Sequence, residues 1–184
     1  IPGIIQAAHY DYFEGGNGQN ISYFDSSIDN QGGFRTDEYV DAISVAGEGD
    51  TVGWITSGEW LEYSVNVETT GCYNLNIRFA SGNNSGGGPI SFTLDGAKVS
   101  EDITFSTTGD WNSWQTKSVN FELTQGEHIL RVAITDGEFN LGKMDFVYAS
   151  ALGYVPPIAD AGDNVVVILP ASTTTLNGFS IFNV

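Results

Sequence analysis

At 184 residues and 19.7 kDa the chain can bury one core of ordinary size and a short appendage, and it is too short for two average domains. A net charge of −17 and a pI of about 4.1 leave no basic patch to neutralise phosphates, which argues against nucleic acid and anionic lipid and in favour of a neutral partner or a metal cation. The single Cys72 cannot form an internal disulfide, and no apolar run approaches the roughly 18 residues of a membrane-spanning helix.

No signal peptide opens at Ile1, so the numbering is expected to begin inside a longer precursor. Ile4 to Tyr10 reads as a first strand, followed by the turn-rich Glu14-Gly15-Gly16-Asn17-Gly18-Gln19-Asn20 and a short apolar run from Ile21 to Phe24. The stretch from Asp25 superficially resembles a calcium loop, but glycine is missing at the sixth position and glutamate at the twelfth, so a plain turn is expected. Trp54 sits in a short apolar run ahead of a turn at Thr56-Ser57-Gly58, where a large ring can close one end of the core or project from its rim. From Leu61 to Val67, Leu61, Tyr63, Val65 and Val67 alternate with Glu62, Ser64 and Asn66, the period of a strand with one buried and one wet face.

Tyr73 to Phe79 repeats that alternation, and Ser81 to Pro89 is a loop because glycine and asparagine tolerate positive φ and proline cannot sit in a central ladder. Ile90 to Leu94 follows, closed by Asp95-Gly96, then a short strand at Ile103 to Phe105. Trp111 and Trp114 are three residues apart, opposite in phase on a strand, so both cannot be core. Ser118 to Leu123, Ile129 to Ile134 and Lys143 to Tyr148 complete a series of short strands with no helical period between them. The fold class expected is all-β: an antiparallel β-sandwich, a jelly roll, over residues 1–150, with a linker at 151–158 marked by Pro156-Pro157 and a short β appendage at 159–184.

Several segments, in order, resemble the carbohydrate-binding modules of family 6. They are Ile1-Pro2-Gly3 with Gln6-Ala7-Ala8-His9-Tyr10-Asp11, Gly32-Gly33-Phe34-Arg35-Thr36-Asp37-Glu38, Gly58-Glu59-Trp60-Leu61-Glu62-Tyr63, Thr108-Gly109-Asp110-Trp111-Asn112-Ser113-Trp114, and Phe139-Asn140-Leu141. The resemblance covers about residues 1–149 and implies a non-catalytic jelly roll attached to a secreted, bacterial polysaccharide hydrolase. Ala159-Asp160-Ala161-Gly162-Asp163-Asn164 with Leu176-Asn177-Gly178 resembles the opening of an immunoglobulin-like domain of the polycystic-kidney-disease type, truncated at Val184.

Sugar binding has its own physical basis. A pyranose presents C–H groups on its faces and hydroxyls at its edge, so a site needs flat aromatic surface and a few donors and acceptors. The resemblance implies that Trp54 and Trp111 sandwich a sugar while Asn140 hydrogen-bonds its hydroxyls; Tyr39 either extends the cleft wall or is a plain exposed tyrosine. Trp114 is expected in the core, and Trp60 as packing or a secondary face. The family's structural calcium is usually held by two glutamates of the first strand, where Gln6 and Ala8 stand here, and by an acid or amide at Gly142. A carbonyl-rich site using Gln6 and Asp145 is the alternative.

Catalysis lacks its parts. Glu59 and Glu62, three apart on an extended strand, face opposite ways and cannot flank one glycosidic bond. With His9 and His128 as the two histidines, neither a serine triad nor a zinc protease site can be assembled. The function expected is binding of a neutral polysaccharide to target an attached hydrolase. β-1,3-Glucan of the laminarin kind is favoured because the insertion from Phe34 to Asp50 looks like those of modules on such glucanases. Xylan, cellulose and agar-type chains, or an adhesion sandwich binding no glycan, are the alternatives.

Overall fold

A computed structural model describes residues 1–153, together with the backbone of 158–160 and 179–181. The chain divides into two compact units, Ile1–Leu152 and Gly153–Val184. The first contains β1 (Gly3–Gln6), β2 (Tyr23–Phe24), β3 (Ala42–Val45), β4 (Gly49–Val52), β5 (Trp60–Val67) and β6 (Gly71–Ala80). It continues with β7 (Gly87–Leu94), β8 (Ala97–Lys98), β9 (Ile103–Phe105), β10 (Gln115–Leu123), β11 (Gly126–Ile134) and β12 (Asn140–Ser150). No helix occurs among the described residues.

The strands form two antiparallel sheets. One runs β10-β6-β12-β4-β3, with β1 on β12; the other runs β2-β5-β11-β7-β8, with β9 on β7. The alternation legible in β5 and β6 places Leu61, Tyr63, Tyr73, Leu75, Ile77 and Phe79 inward, where they meet Phe92, Leu130, Val132, Met144 and Phe146 in one core. At one end of that core Phe79, Phe105 and Phe139 stack in series, with ring centroids 4.5 and 4.7 Å apart. Phe139 is also part of the floor of the cleft described below.

Two departures from the sequence reading matter for the site. The first strand stops at Gln6 instead of reaching Tyr10, because Ala7 and Ala8 are both fully buried, which a two-residue period cannot achieve, and the chain turns with His9 N bonded to the Gln6 carbonyl at 3.0 Å. The stretch from Phe34 to Asp50, read as an insertion, supplies the β3–β4 hairpin, turned by Gly47 and Gly49 at φ 85° and 91°. β12 carries a bulge: Leu141 faces Phe79 but Met144 faces Ile77, so one extra residue is accommodated near Gly142.

In the second unit β13 (Ile158–Asp160) pairs antiparallel with β14 (Phe179–Ile181). The rest of the expected linker and immunoglobulin-like opening lies outside the described residues.

Candidate functional site

A cleft of about 680 Å³ opens where the turn after β4, the loop before β10 and the start of β12 come together. Trp54, Trp111 and Asn140 all line it. Both indoles stay accessible, Trp54 at 55% and Trp111 at 41% exposure, which settles the choice between core and rim for these two residues. Among the described residues neither stacks on another aromatic ring.

The turn that carries Trp54 is held from both sides. Trp54 itself has φ 48°, a left-handed conformation that a bulky side chain adopts only when its surroundings impose it. On one side Gly53 N donates to the Asp41 carbonyl at 2.9 Å. On the other, buried Glu59 accepts from Thr56 N and Thr56 Oγ1, each at 2.9 Å, and from Ser26 Oγ at 2.8 Å. Glu59, just before β5, is thus a loop anchor, while Glu62 within β5 pairs with Arg131 at 2.6 Å.

Behind this turn, Asp25, Asp41 and Glu59 are buried close enough to feel one another's charge. Burial, with the Glu59 and Asp41 charges added, pushes the Asp25 carboxyl up to about 6, against the lowering effect of the Ser27 N–H bond. Asp41 is raised likewise, chiefly by burial.

The Trp111 loop is tied by the Asp110 carboxylate, which accepts from Asn112 N at 2.7 Å, and by Thr108 N, which donates to the Ser81 carbonyl at 2.8 Å. Asn140 Nδ2 donates to the Trp111 carbonyl at 2.9 Å, which leaves Oδ1 without a donor among the described residues. Glu138, two residues before Asn140, stands on the cleft wall at φ 68°. Two large apolar faces, an amide oxygen and a carboxylate in one open slot suit a flat, hydroxylated, uncharged ligand.

Trp114 and Tyr39 lie elsewhere than expected, and Trp60, Gln6 and Asp145 lie outside the cleft. Trp114 is not part of the core: it is half-buried, lines the cleft, and packs so close to the bulge that a β-carbon on Gly142 would fall 3.0 Å from its Cζ3. Its Nε1–H is buried with no acceptor among the described residues. Spacing put it in the core only on the assumption that Trp111 and Trp114 share a strand, whereas β10 begins after both. Tyr39 does not extend the cleft wall; it is half-buried against the core between buried Glu38 and Val40. Trp60 is covered by the Arg131 guanidinium, 3.9 Å from its ring centre, which uses up that face.

Gln6 and Asp145 are the residues expected to hold a metal. Gln6 faces Lys143 and Asp145 faces Ile4 on the β1–β12 ladder, so a lysine stands beside the amide. The Gln6 Oε1 is buried without a partner and lies against Gly49, where an added β-carbon would be 2.6 Å away. Ala8 contributes only a buried methyl, and among the described residues no three acidic, histidine or cysteine side chains gather around a metal-sized space. Calcium takes six to eight oxygens, which here Gln6, Asp145 and backbone carbonyls would have to supply.

Sequence reading missed Glu138 and the β3 contribution of Ile43 and Val45 to the cleft. Glu138 had a faint signal, its two-residue spacing from Asn140; the hairpin had none until the strand order was known.

The fold has counterparts. The family 6 module at the C-terminus of a marine laminarinase from Zobellia galactanivorans superposes with a TM-score of 0.60 at 22% identity, covering 78% of this chain and 97% of that one. A Cellvibrio mixtus lichenase module in complex with cellotriose gives 0.59 at 24% identity, covering 82% and 99%. Among curated proteins, an exo-β-D-glucosaminidase of Amycolatopsis orientalis is 29% identical over 90 residues, 48% of this chain and 9% of that protein. A β-agarase of Microbulbifer thermotolerans is 36% identical over 69 residues, 37% of this chain and 15% of that protein. The matched stretches are thus small parts of much longer relatives. The family model for carbohydrate binding module family 6 matches residues 26–148, more than half of the chain, and the chain belongs to that family of non-catalytic binding modules.

Proposed function

We propose that the chain holds a neutral polysaccharide in the Trp54–Trp111 cleft and so targets a covalently attached, secreted glycoside hydrolase to its substrate. The observation that carries this reading is the convergence of two exposed indoles and the Asn140 amide on one cleft. Glu138 on the wall and the chain's net charge of −17 repel uronic or sulfated chains, which favours an uncharged glycan. Among neutral glycans we favour β-1,3-glucan: the Phe34–Asp50 stretch that resembles the laminarinase-borne modules supplies Ile43 and Val45 to the cleft floor. An agar-type galactan is the second reading, supported by the match to the β-agarase.

One open cleft gives binding in the micromolar to millimolar range, roughly 4–8 kcal/mol, and linkage to an enzyme turns this into useful targeting through effective concentration. Calorimetric titration of β-1,3-gluco-, cello-, xylo- and agaro-oligosaccharides tests it. Binding to β-1,3-glucan should be tightest and should fall about ten- to a hundredfold in Trp111→Ala, with no hydrolysis product. Tightest binding to the agaro-oligosaccharide moves the assignment to galactan, and binding that survives loss of Trp111 removes the cleft from the reading.

A further inference from the structure

We propose that Ser81 and Gly82, neither of which lines the cleft, are its positioning residues: Gly82 sets the tilt of the Trp111 indole, and Ser81 locks together the loops that carry Trp111 and Glu138. This rests on the reading that the cleft binds carbohydrate.

The five-membered ring of Trp111 lies against the Gly82 α-carbon. A β-carbon built at Gly82 would fall 2.6 Å from Trp111 Nε1 and 2.7 Å from both Cδ1 and Cε2. Gly82 is outside the left-handed region, so an added side chain meets no left-handed backbone penalty, and its three nearest neighbours would all be indole atoms. Because Trp111 is an exposed side chain, it can swing away cheaply. The fold tolerates the change while the ring loses its place, which separates a positioning residue from a structural one.

Ser81, fully buried, is the knot beneath it. Its N–H donates to Thr108 Oγ1 at 2.9 Å and its carbonyl accepts from Thr108 N at 2.8 Å, which ties it to the Trp111 loop. Its hydroxyl donates to the Glu138 carbonyl at 2.7 Å, which ties it to the chain two residues before Asn140. Asn140 then closes the circuit through the Trp111 carbonyl. Sites held within about half an ångström need such a supporting layer.

The test compares Gly82→Ala, Trp111→Phe and their combination in the whole chain. Three quantities are read: the Trp111 indole N–H resonance of the free protein, identified by its loss in Trp111→Phe; affinity for β-1,3-gluco-, cello-, xylo- and agaro-hexaoses; and the melting temperature. Gly82→Ala should shift the Trp111 resonance but not that of Trp60. It should weaken binding about tenfold and leave melting within about 2 °C. A phenyl ring offers less stacking face to displace, so Trp111→Phe should cost affinity in the wild type, Gly82→Ala should cost less in the Trp111→Phe background than in the wild type, and the two losses should not add. An unmoved resonance, wild-type affinity in Gly82→Ala, or additive effects in the double variant each overturn the proposal. A shifted resonance with no hexaose bound by the wild type leaves the positioning of Trp111 standing and removes the carbohydrate reading. Ser81→Ala should shift the same resonance if it folds; the Gly82 comparison decides without it.

Discussion

The Asn140 amide donates to the Trp111 carbonyl at 2.9 Å, so the residue expected to touch sugar hydroxyls also fastens the loop that presents the aromatic platform. The two roles are inseparable by truncation. Asn140→Ala removes an amide oxygen from the cleft and releases the loop, and we expect a loss of about 1–3 kcal/mol in binding. Asn140→Asp keeps the oxygen but loses the donor, so it should loosen the Trp111 loop almost as much. Hydrogen exchange at the backbone amides of residues 108–114 measures the loosening directly, and unchanged exchange in both variants would contradict it.

Trp54 has φ 48°, where any residue with a β-carbon is strained. Trp54→Gly should therefore be more stable than Trp54→Ala by about 1 kcal/mol, although both lose one aromatic face and bind about equally weakly. Equal stabilities in denaturant titration would show that the turn is not strained.

Trp114 lines the cleft with a buried, unpartnered indole N–H. Such a group carries a penalty of about 1–3 kcal/mol that partly cancels its packing. Trp114→Ala should thus destabilise by about 1–2 kcal/mol, less than the roughly 3–5 kcal/mol typical of a core tryptophan. Trp114→Phe, which discards the N–H and keeps most of the ring, should melt at or above the wild-type temperature. A large drop in Trp114→Phe would show that the indole nitrogen has an acceptor.

Asp25 has a folded-state pKa of about 6, above its ordinary 3.8, chiefly because it is buried and secondarily because Glu59 and Asp41 are near. A raised carboxyl binds its proton more tightly in the folded state. Its contribution to stability is fully present below pH 3.8 and is lost as pH rises through about 6. The fold should therefore lose stability between about pH 4 and 7 through this group, by about 3 kcal/mol, or roughly 2–4 °C per kcal/mol in melting temperature. Asp25→Asn, which retains an oxygen for the Ser27 N–H, should flatten that slope and raise stability at neutral pH. A steeper slope in the variant would reverse the sign assigned here.

The two-residue period of apolar side chains determined β5, β6 and β11 from the sequence alone, because a strand with one buried face must alternate. The same reasoning argued against a shared catalytic role for Glu59 and Glu62, which engage separate partners, Ser26 and Thr56 for Glu59 and Arg131 for Glu62. The aromatic pair and Asn140 were legible only through resemblance, since a tryptophan in a loop has no period to read. Tertiary structure alone decided the direction of each ring. Trp54 points outward because its φ of 48° is imposed by bonds from Asp41 and Glu59, residues 13 and 5 positions away along the chain. The Trp111 indole rests against Gly82, from a loop 29 residues earlier, because that residue has no side chain to displace it. Trp114 falls at the cleft because β10 starts only at Gln115 and turns Val119, Phe121 and Leu123 inward, a phase that leaves residue 114 off the core face. Local patterning encodes which face of a strand is buried; the orientation of loop side chains is set by contacts between segments distant in sequence, and those exist only once the two sheets have paired.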